Sequence, residues 1–145
     1  MVNGKKYSYL NKIKVIIIVI LCVFLIATPI FLYFRITTEG KVAFREAKNI
    51  KLAFEMLQIE YYGRGMSVYD ASATNGLAAG VQERLEEILE HDCNVSILAY
   101  NNKERMVTAF IYTTGNYRVL YRYDAVQGDC YDVDYMIRIL KYDGR

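Results

Sequence analysis

Histidine is scarce in this 145-residue chain, since His91 is its only one and it follows a predicted helix beside acidic residues. No serine or cysteine in the sequence has an evident histidine base and an orienting partner, which nucleophilic catalysis requires. The sequence therefore predicts no catalytic residues, no cofactor and no enzyme activity.

Charge is absent from residues 15–34, which read VIIIVILCVFLIATPIFLYF. As a helix, a run of this length covers about 30 Å, the thickness of a bilayer's hydrocarbon core. A cleaved secretory signal would have a shorter apolar core of about 7–15 residues and a small-residue cleavage site. The run predicts a retained, single-pass membrane anchor in contact with lipid, and the anchor residues are Val15, Ile20, Pro29 and Phe34.

Acidic residues are absent before this run, and all 16 lie after it. Four lysines precede the run: Lys5, Lys6, Lys12 and Lys14. By the positive-inside rule, residues 1–14 are cytoplasmic and residues 35–145 form an extracytoplasmic domain of a cell-membrane protein. Subtracting these four lysines from 18 basic residues leaves 14 against 16 acidic ones, a balance of about −2. Such a domain has no electrostatic footprint for nucleic acid.

Residues 41–61 carry a helical pattern in which apolar side chains recur at steps of three and four. These side chains form a predicted packing stripe: Ala43, Ala47, Ile50, Phe54, Leu57 and Tyr61. Gly40 is the only helix-breaking residue between the apolar run and the stripe, and a lone Gly costs about 1 kcal/mol relative to Ala. We therefore predict one continuous helix with a membrane-spanning half and an amphipathic half.

Gly63 and Gly65 are predicted to end this helix, and the Ser-, Asn- and Gly-rich stretch up to Gly80 is predicted to be a surface loop. A second, short helix is predicted in residues 80–91, because three apolar residues share one face there. Those residues are Val81, Leu85 and Ile88. This helix is expected to be a lid on the first helix or on a sheet.

After Asp92 the pattern changes to period two, which predicts strands. The predicted strands cover residues 95–100, 106–113, 117–123 and 131–142. Turn residues at 101–104 and 114–116 connect the first three strands as hairpins. The predicted fold class is α+β, with a long N-terminal helix packed on a four-stranded antiparallel sheet.

Cys93 and Cys130 are the two cysteines outside the apolar run, one just before the first predicted strand and one just before the last. A disulfide between them would tie the final strand to the domain and restrict the unfolded chain by roughly 4 kcal/mol. We predict this disulfide, and two separate reduced thiols are the alternative.

Four acidic residues near the C-terminus could offer oxygen ligands to calcium: Asp124, Asp129, Asp132 and Asp134. Strand alternation places Asp132 and Asp134 on a solvent-facing side, away from a common centre. We therefore predict no metal site. The fourteen tyrosines are interpreted as residues of half-buried strands, and a sugar-binding face is the alternative.

The order of apolar helix, amphipathic helix, loop, meander and late cysteine pair resembles type IV pilins and pseudopilins. Ala27-Thr28-Pro29-Ile30 is similar to the family's Ala-Ile-Pro near the outer end of the membrane segment. The run from Phe44 to Leu57 resembles the Ala-Lys-Asn-rich helix of clostridial-type pilin-like proteins. The resemblance covers the whole architecture and implies a pilin-like bacterial envelope protein.

The chain departs from the family at three positions when it is aligned on Pro29. Tyr7 stands where the family has the Gly cut by prepilin peptidase, and Ser8 stands where it has the first Phe of the mature chain. Lys12 stands where the family has the assembly Glu, which neutralises the amine of a neighbouring subunit within the membrane. A lysine cannot provide that negative charge.

The resemblance implies a function in protein association, with membrane lipid and other pilin-like subunits as partners. The protein is then a minor subunit of a type IV pilus or of a secretion-type filament. The alternative is an uncleaved, bitopic envelope assembly or sensor module that binds another envelope protein and has no filament role.

Overall fold

A computed structural model gives the backbone of residues 3–136 and the side chains of residues 12–136. The elements of this part of the chain are α1 (Asn3–Gly63), α2 (Val81–Leu89), β1 (Asn94–Asn101), β2 (Met106–Thr114), β3 (Tyr117–Asp124) and β4 (Gly128–Tyr135). The predicted α+β class is confirmed, because a long N-terminal helix precedes an open, four-stranded antiparallel sheet. Two compact units divide the chain between Thr38 and Glu39, and α1 contributes to both. The unit that begins at Glu39 is called the α+β domain below.

α1 is continuous through Gly40, as predicted. A Cβ built on Gly40 would lie 3.5 Å from the Tyr117 ring and 3.9 Å from Val133, which are ordinary van der Waals distances. The helix backbone at Gly40 therefore lies close to β3 and β4. Packing of this face against the sheet offsets the cost of about 1 kcal/mol that Gly brings to a helix interior.

The left-handed residue Gly65, whose φ is 73°, follows the end of α1. The N–H of Gly65 donates to the carbonyl of Tyr62 and the N–H of Met66 donates to the carbonyl of Tyr61, both at 2.9 Å. These two hydrogen bonds define a Schellman motif, which satisfies carbonyls at the end of a helix. Of the two glycines predicted to end the helix, Gly65 forms this cap, and Gly63 is the last helical residue.

The core of the α+β domain lies between one face of α1 and one face of the sheet. The Phe54 ring on α1 lies 5.6 Å from the Phe110 ring on β2, which stacks at 4.9 Å on Tyr121 of β3. The Phe44 ring meets Tyr131 of β4 edge-on at 5.2 Å. Among the described residues the buried side chains are apolar or aromatic, and none is charged.

β3 alternates as the sequence predicts. Tyr117, Val119 and Tyr121 are buried, whereas Arg118 and Arg122 are exposed on the opposite face of the sheet. Tyr123, which follows the same period, is exposed. The helix covers one face of the described sheet, as expected for an antiparallel sheet with one face on the core.

The last strand was predicted at residues 131–142, and this boundary is wrong. β4 begins three residues earlier, at Gly128, which pairs with Asp124. The Asp124 carboxylate accepts the amides of Val126 and Gln127 at 2.7 and 2.9 Å, and Gly128 has a φ of 78°. These features close a tight hairpin, so strand pairing resumes at once. Residues 137–142 of the predicted strand lie outside the described residues.

The stretch between α1 and α2, predicted as a surface loop, contributes to the core. Val68 and Leu77 are buried, and the segment folds back on itself through an isolated bridge between Tyr69 and Leu77. The carbonyl of Asn75 accepts the Ile97 amide of β1 at 2.8 Å. The loop therefore covers part of the β1 edge, where an unpaired strand would otherwise meet solvent.

α2 has the predicted apolar face, because Val81 and Leu85 are fully buried and Ile88 packs against the core. Gln82 on the same helix donates a 2.6 Å hydrogen bond to the carbonyl of Cys93, just before β1. Arg84 forms an ion pair with Glu60 of α1 at 3.2 Å. α2 thus contacts both α1 and the beginning of the sheet, which agrees with a lid.

Candidate functional site

The predicted anchor residues are exposed apolar groups on α1. Val15, Ile20 and Phe34 expose 60%, 50% and 64% of their surface, and Pro29 is also exposed. In the part of the chain from residue 12 on, α1 is the one helix that is long enough and apolar enough to cross a membrane. No part of its most apolar stretch is buried. Such a helix is compatible with a membrane anchor.

Pro29 sits inside α1 without ending it. A proline at this position removes the intrahelical donor to the carbonyl of Leu25. The Thr28 hydroxyl donates to the carbonyl of Phe24 at 2.7 Å, one residue before Leu25. Threonine commonly forms this bond to the carbonyl four residues back, because its hydroxyl reaches that oxygen in the preferred rotamers.

The packing stripe predicted from residues 41–61 faces the sheet. Ala47, Ile50, Phe54 and Leu57 are at most 1% exposed, and Tyr61 is 7% exposed. Ala53, which the stripe did not include, is also buried. These residues are buried in the core of the same chain, so they are not available to a partner.

A second apolar face of α1 is not covered by its own chain. We call it the outer stripe, and it consists of Leu52, Met56, Ile59 and Tyr62, with Met66 just beyond the end of the helix. Leu52, Met56 and Ile59 expose 54%, 60% and 76% of their surface. A displacement of two residues rotates a side chain by about 200° around an α-helix, so Leu52 lies opposite Phe54 and Ile59 lies opposite Leu57.

The outer stripe was not predicted, although the sequence contains a signal for it. Leu52, Met56 and Ile59 recur at steps of four and three, like the packing stripe itself. One apolar stripe is sufficient to pack a helix on a sheet, so a second stripe at the same spacing points to a second contact. Several exposed apolar side chains on one face are typical of interaction sites.

Ion pairs border the outer stripe. Glu55 pairs with Lys51 at 2.7 Å, and Glu60 pairs with Arg64 at 2.8 Å. The hydrogen bond that Lys51 donates to Glu55 raises the pKa of Lys51 above its ordinary value, burial acts in the opposite direction, and the hydrogen bond that it donates to Asp129 raises the pKa further. The border charges are thus compensated within the chain.

A groove of about 720 Å³ adjoins the outer stripe, between the end of α1 and the β1–β2 turn. Its lining residues are Glu55, Gln58, Ile59, Tyr62, Lys103, Glu104 and Arg105. The Arg105 guanidinium lies 4.8 Å from the centre of the Tyr62 ring, a cation–π contact. Carboxylates and cations alternate along the groove, so it presents no single charge that would select an ion.

The predicted disulfide between Cys93 and Cys130 is absent, and both thiols are free. Cys93 precedes β1 and is buried on the core side, whereas Cys130 lies on β4 opposite the exposed Arg122. β1 and β4 are the first and last strands of the described sheet, separated by three strand spacings of about 4.8 Å. A disulfide requires Cα atoms about 4.4–6.8 Å apart, so opposite edges and opposite faces both prevent it.

Burial changes the acidity of groups in this core. It raises the pKa of the Cys93 thiol to about 11 and that of Tyr112 to about 12. The Tyr112 hydroxyl also donates a 2.5 Å hydrogen bond to Glu46 of α1, which further favours the neutral phenol. Both groups are therefore protonated at neutral pH, and Cys93 is a poor nucleophile.

The four acidic residues considered for calcium are engaged separately. Asp124 caps the β3–β4 hairpin, and Asp129 accepts from Tyr121 and pairs with Lys51. On the opposite face, Asp132 and Asp134 pair with two arginines of β3: Arg122 at 2.6 Å and Arg118 at 2.7 Å. In residues 12–136 no group of three or more His, Cys, Asp or Glu side chains is placed to hold a metal ion.

His91 lies at the surface after α2, where its Nδ1 is 2.9 Å from the carbonyl of Asp92. The three cysteines are free, one exposed, one buried and one half-buried. The described contact of His91 is thus with the backbone of the next residue.

Comparisons with known proteins do not assign the chain to a family. No protein-family model matches it. No curated protein matches it, and no solved structure matches it.

Proposed function

We propose that this protein is a membrane-anchored module for protein association, and that α1 is both its anchor and its interaction element. The observation that carries the proposal is the outer stripe, an exposed apolar face on the same helix that carries the apolar run. Four large apolar side chains exposed together on one helix face are typical of a protein contact.

The proposed topology places the N-terminus in the cytoplasm and the α+β domain outside the membrane. The four lysines before the apolar run support this orientation by the positive-inside rule. Two separate measurements on cells that express the full chain test this topology. One is membrane fractionation, and the other is protease treatment of intact spheroplasts. Release of the chain by alkaline carbonate, or protection of the α+β domain from external protease, would contradict the proposal.

Within this function, the leading form is a pilin-like protein that acts as a minor subunit of a type IV pilus or secretion-type filament. The layout supports it, because a long helix runs from an apolar half into a half that is packed on an antiparallel meander. In such a subunit the outer stripe would meet neighbouring subunits.

The second form is an uncleaved, bitopic envelope assembly or sensor module. Lys12 favours it, because a lysine stands where a filament subunit of this kind has its acidic assembly residue. Tyr7 and Ser8 favour it too, since they replace the residues on which prepilin peptidase acts. Such a module would bind another envelope protein and keep its N-terminal residues.

Intact mass of the native protein separates the two forms, measured with and without a co-expressed prepilin peptidase. A free N-terminus near Ser8 is the result expected of a filament subunit. An N-terminus at Met1 in both conditions would exclude standard pilin processing and favour the uncleaved module.

Association itself has a separate test, in which a photoreactive amino acid replaces Ile59 in the full chain in native membranes. The matched control replaces Leu98, an apolar residue of β1 with 53% exposure. We expect cross-linked species from the variant with the photoreactive group at position 59 and few from the control at position 98. Equal yields at the two positions, or no adduct at either, would contradict a function based on the outer stripe.

A further inference from the structure

The outer stripe continues toward the N-terminal end of α1 with Asn49, which is also exposed. Asn49, Leu52, Met56 and Ile59 follow one another at steps of three, four and three. This is the a/d spacing of a coiled coil, with Asn49 and Met56 in one position of the heptad and Leu52 and Ile59 in the other. We call these four residues the seam. A surface with this spacing fits a second α-helix rather than a flat sheet or an extended peptide.

The size of this surface sets how strongly it can associate. Large exposed patches on monomers measure roughly 300–600 Å², and a standard stable interface needs about 800 Å² from each partner. About two heptads of seam are likewise short for a coiled coil in solution. The seam alone is therefore a weak contact that needs additional restraint.

The anchor supplies that restraint when the partner is a second copy of this chain. Every copy carries the seam at the same chain distance beyond the apolar run, and all copies enter the membrane in the same direction. Confinement to one membrane raises the effective concentration of two seams. A self-complementary contact about a two-fold axis is then the simplest closed assembly.

The charges beside the seam are compatible with like meeting like. In a parallel pair Glu55 of one copy would approach Glu60 of the other, and these like charges would normally repel. Glu55 is already paired with Lys51, and Glu60 with Arg64 and Arg84. Each copy thus brings a nearly neutral border, and the seam offers no charge pattern that calls for a different, oppositely charged partner.

We propose that the outer stripe binds the same stripe of a second copy, in a parallel, in-register homodimer held in one membrane. The inference rests on the proposed function, since it names the partner of that surface. Asn49 sets the register, because two asparagines can hydrogen-bond each other only when they lie at the same level. The apolar residues Leu52, Met56 and Ile59 supply most of the association.

The test uses the full chain in phosphatidylglycerol–phosphatidylethanolamine vesicles at low protein-to-lipid ratio, with Cys22 and Cys93 replaced by Ala and Cys130 by Ser. Single cysteines are introduced by Ile59→Cys and Leu52→Cys, and by Leu98→Cys as the control on the sheet. We expect like-residue cross-links at positions 59 and 52 and few at 98. Mixing the Leu52→Cys and Ile59→Cys chains, tagged to different masses, should give fewer mixed dimers than like dimers.

A second measurement leaves the three native cysteines in place and uses energy transfer between copies labelled at the N-terminus. Ile59→Asp is expected to weaken association by about tenfold or more, since it places a charge in an apolar seam, while Leu98→Asp leaves it unchanged. Cross-linking equal at 59 and 98, mixed dimers equal to like dimers, or transfer insensitive to Ile59→Asp would overturn the homodimer. If these results appear while the photoreactive group at position 59 still captures other proteins in native membranes, the homodimer fails and the broader association function stands.

Discussion

Lys51 on α1 and Asp129 on β4 form an ion pair, with 3.2 Å between Nζ and Oδ2. The other oxygen of Asp129 accepts a 2.8 Å hydrogen bond from the Tyr121 hydroxyl, so one carboxylate contacts both the helix and the neighbouring strand. β4 is the last strand of the described sheet, and this pair is one of the polar links that hold it to α1.

Asp129→Asn is expected to lower the free energy of unfolding by about 1 kcal/mol, because half-exposed ion pairs contribute about 0–1 kcal/mol. The matched control is Asp132→Asn, which removes the pair with Arg122 on the exposed face of the same strand. That change should stay within about 0.5 kcal/mol. Thermal unfolding of the full chain in detergent micelles, followed by near-ultraviolet circular dichroism, measures both. Equal losses would show that the link to α1 has no special weight.

Truncation of a side chain is expected to reduce stability strongly on one apolar face of α1 and very little on the other. Phe54→Ala should cost about 3–5 kcal/mol, because the side chain is 1% exposed and its removal leaves a cavity beside Phe110. Ile59→Ala should change stability by no more than about 0.5 kcal/mol. Chemical denaturation of the two variants at a protein concentration too low for association gives the comparison. A large loss for Ile59→Ala would mean that the outer stripe packs within its own chain.

Gly76 is expected to tolerate no side chain. Its φ is 70°, and a Cβ built there would lie 2.8 Å from the carbonyl oxygen of Ile97. Gly76→Ala should therefore cost more than the roughly 1–2 kcal/mol of a left-handed alanine. Gly115→Ala is the control, since Gly115 also has a positive φ but has open space around it. Unfolding temperatures that fall equally in the two variants would show that the contact with Ile97 adds nothing.

The two cysteines of the α+β domain are expected to react as independent thiols. Cys130 is partly exposed, whereas Cys93 is buried and its pKa is raised to about 11. At pH 8 a thiol reagent should modify Cys130 quickly and Cys93 only after unfolding. The readout is mass spectrometry without reductant, and Cys130→Ser should abolish the fast reaction of the domain. Recovery of a peptide that joins the two cysteines would restore the disulfide and contradict the described strand order.

Alkaline pH is expected to destabilise the domain. Burial raises the pKa of Tyr112 to about 12 and that of Cys93 to about 11, from ordinary values of 10.0 and 9.0. Because the unfolded chain loses these protons first, their contribution to stability is complete below about pH 9 and declines between about pH 9 and 12. Unfolding temperatures measured from pH 8 to 11.5 should fall, and Tyr112→Phe should fall less steeply. A flat profile would mean that these groups are not buried.

Local pattern was sufficient to predict the elements of the fold. Phe54 and Leu57 follow the 3.6-residue period of a helix, and Tyr117, Val119 and Tyr121 follow the two-residue period of a strand, so their neighbours in sequence define their faces. The short turn at Gly115 then requires an antiparallel hairpin. Strand boundaries were less predictable, since β4 begins where the carboxylate of Asp124 closes a hairpin that composition alone did not reveal.

By itself the sequence determined the apolar run, the continuous helix, the packing stripe and the α+β class, because each depends on periodicity within a few turns or strands. Only the tertiary structure decided that Cys93 and Cys130 are too far apart to bond, because that distance depends on the order of strands across the sheet. It also decided which apolar face of α1 the sheet covers. Both faces have helical spacing, and the sheet has room for one, so Leu52, Met56 and Ile59 remain at the surface.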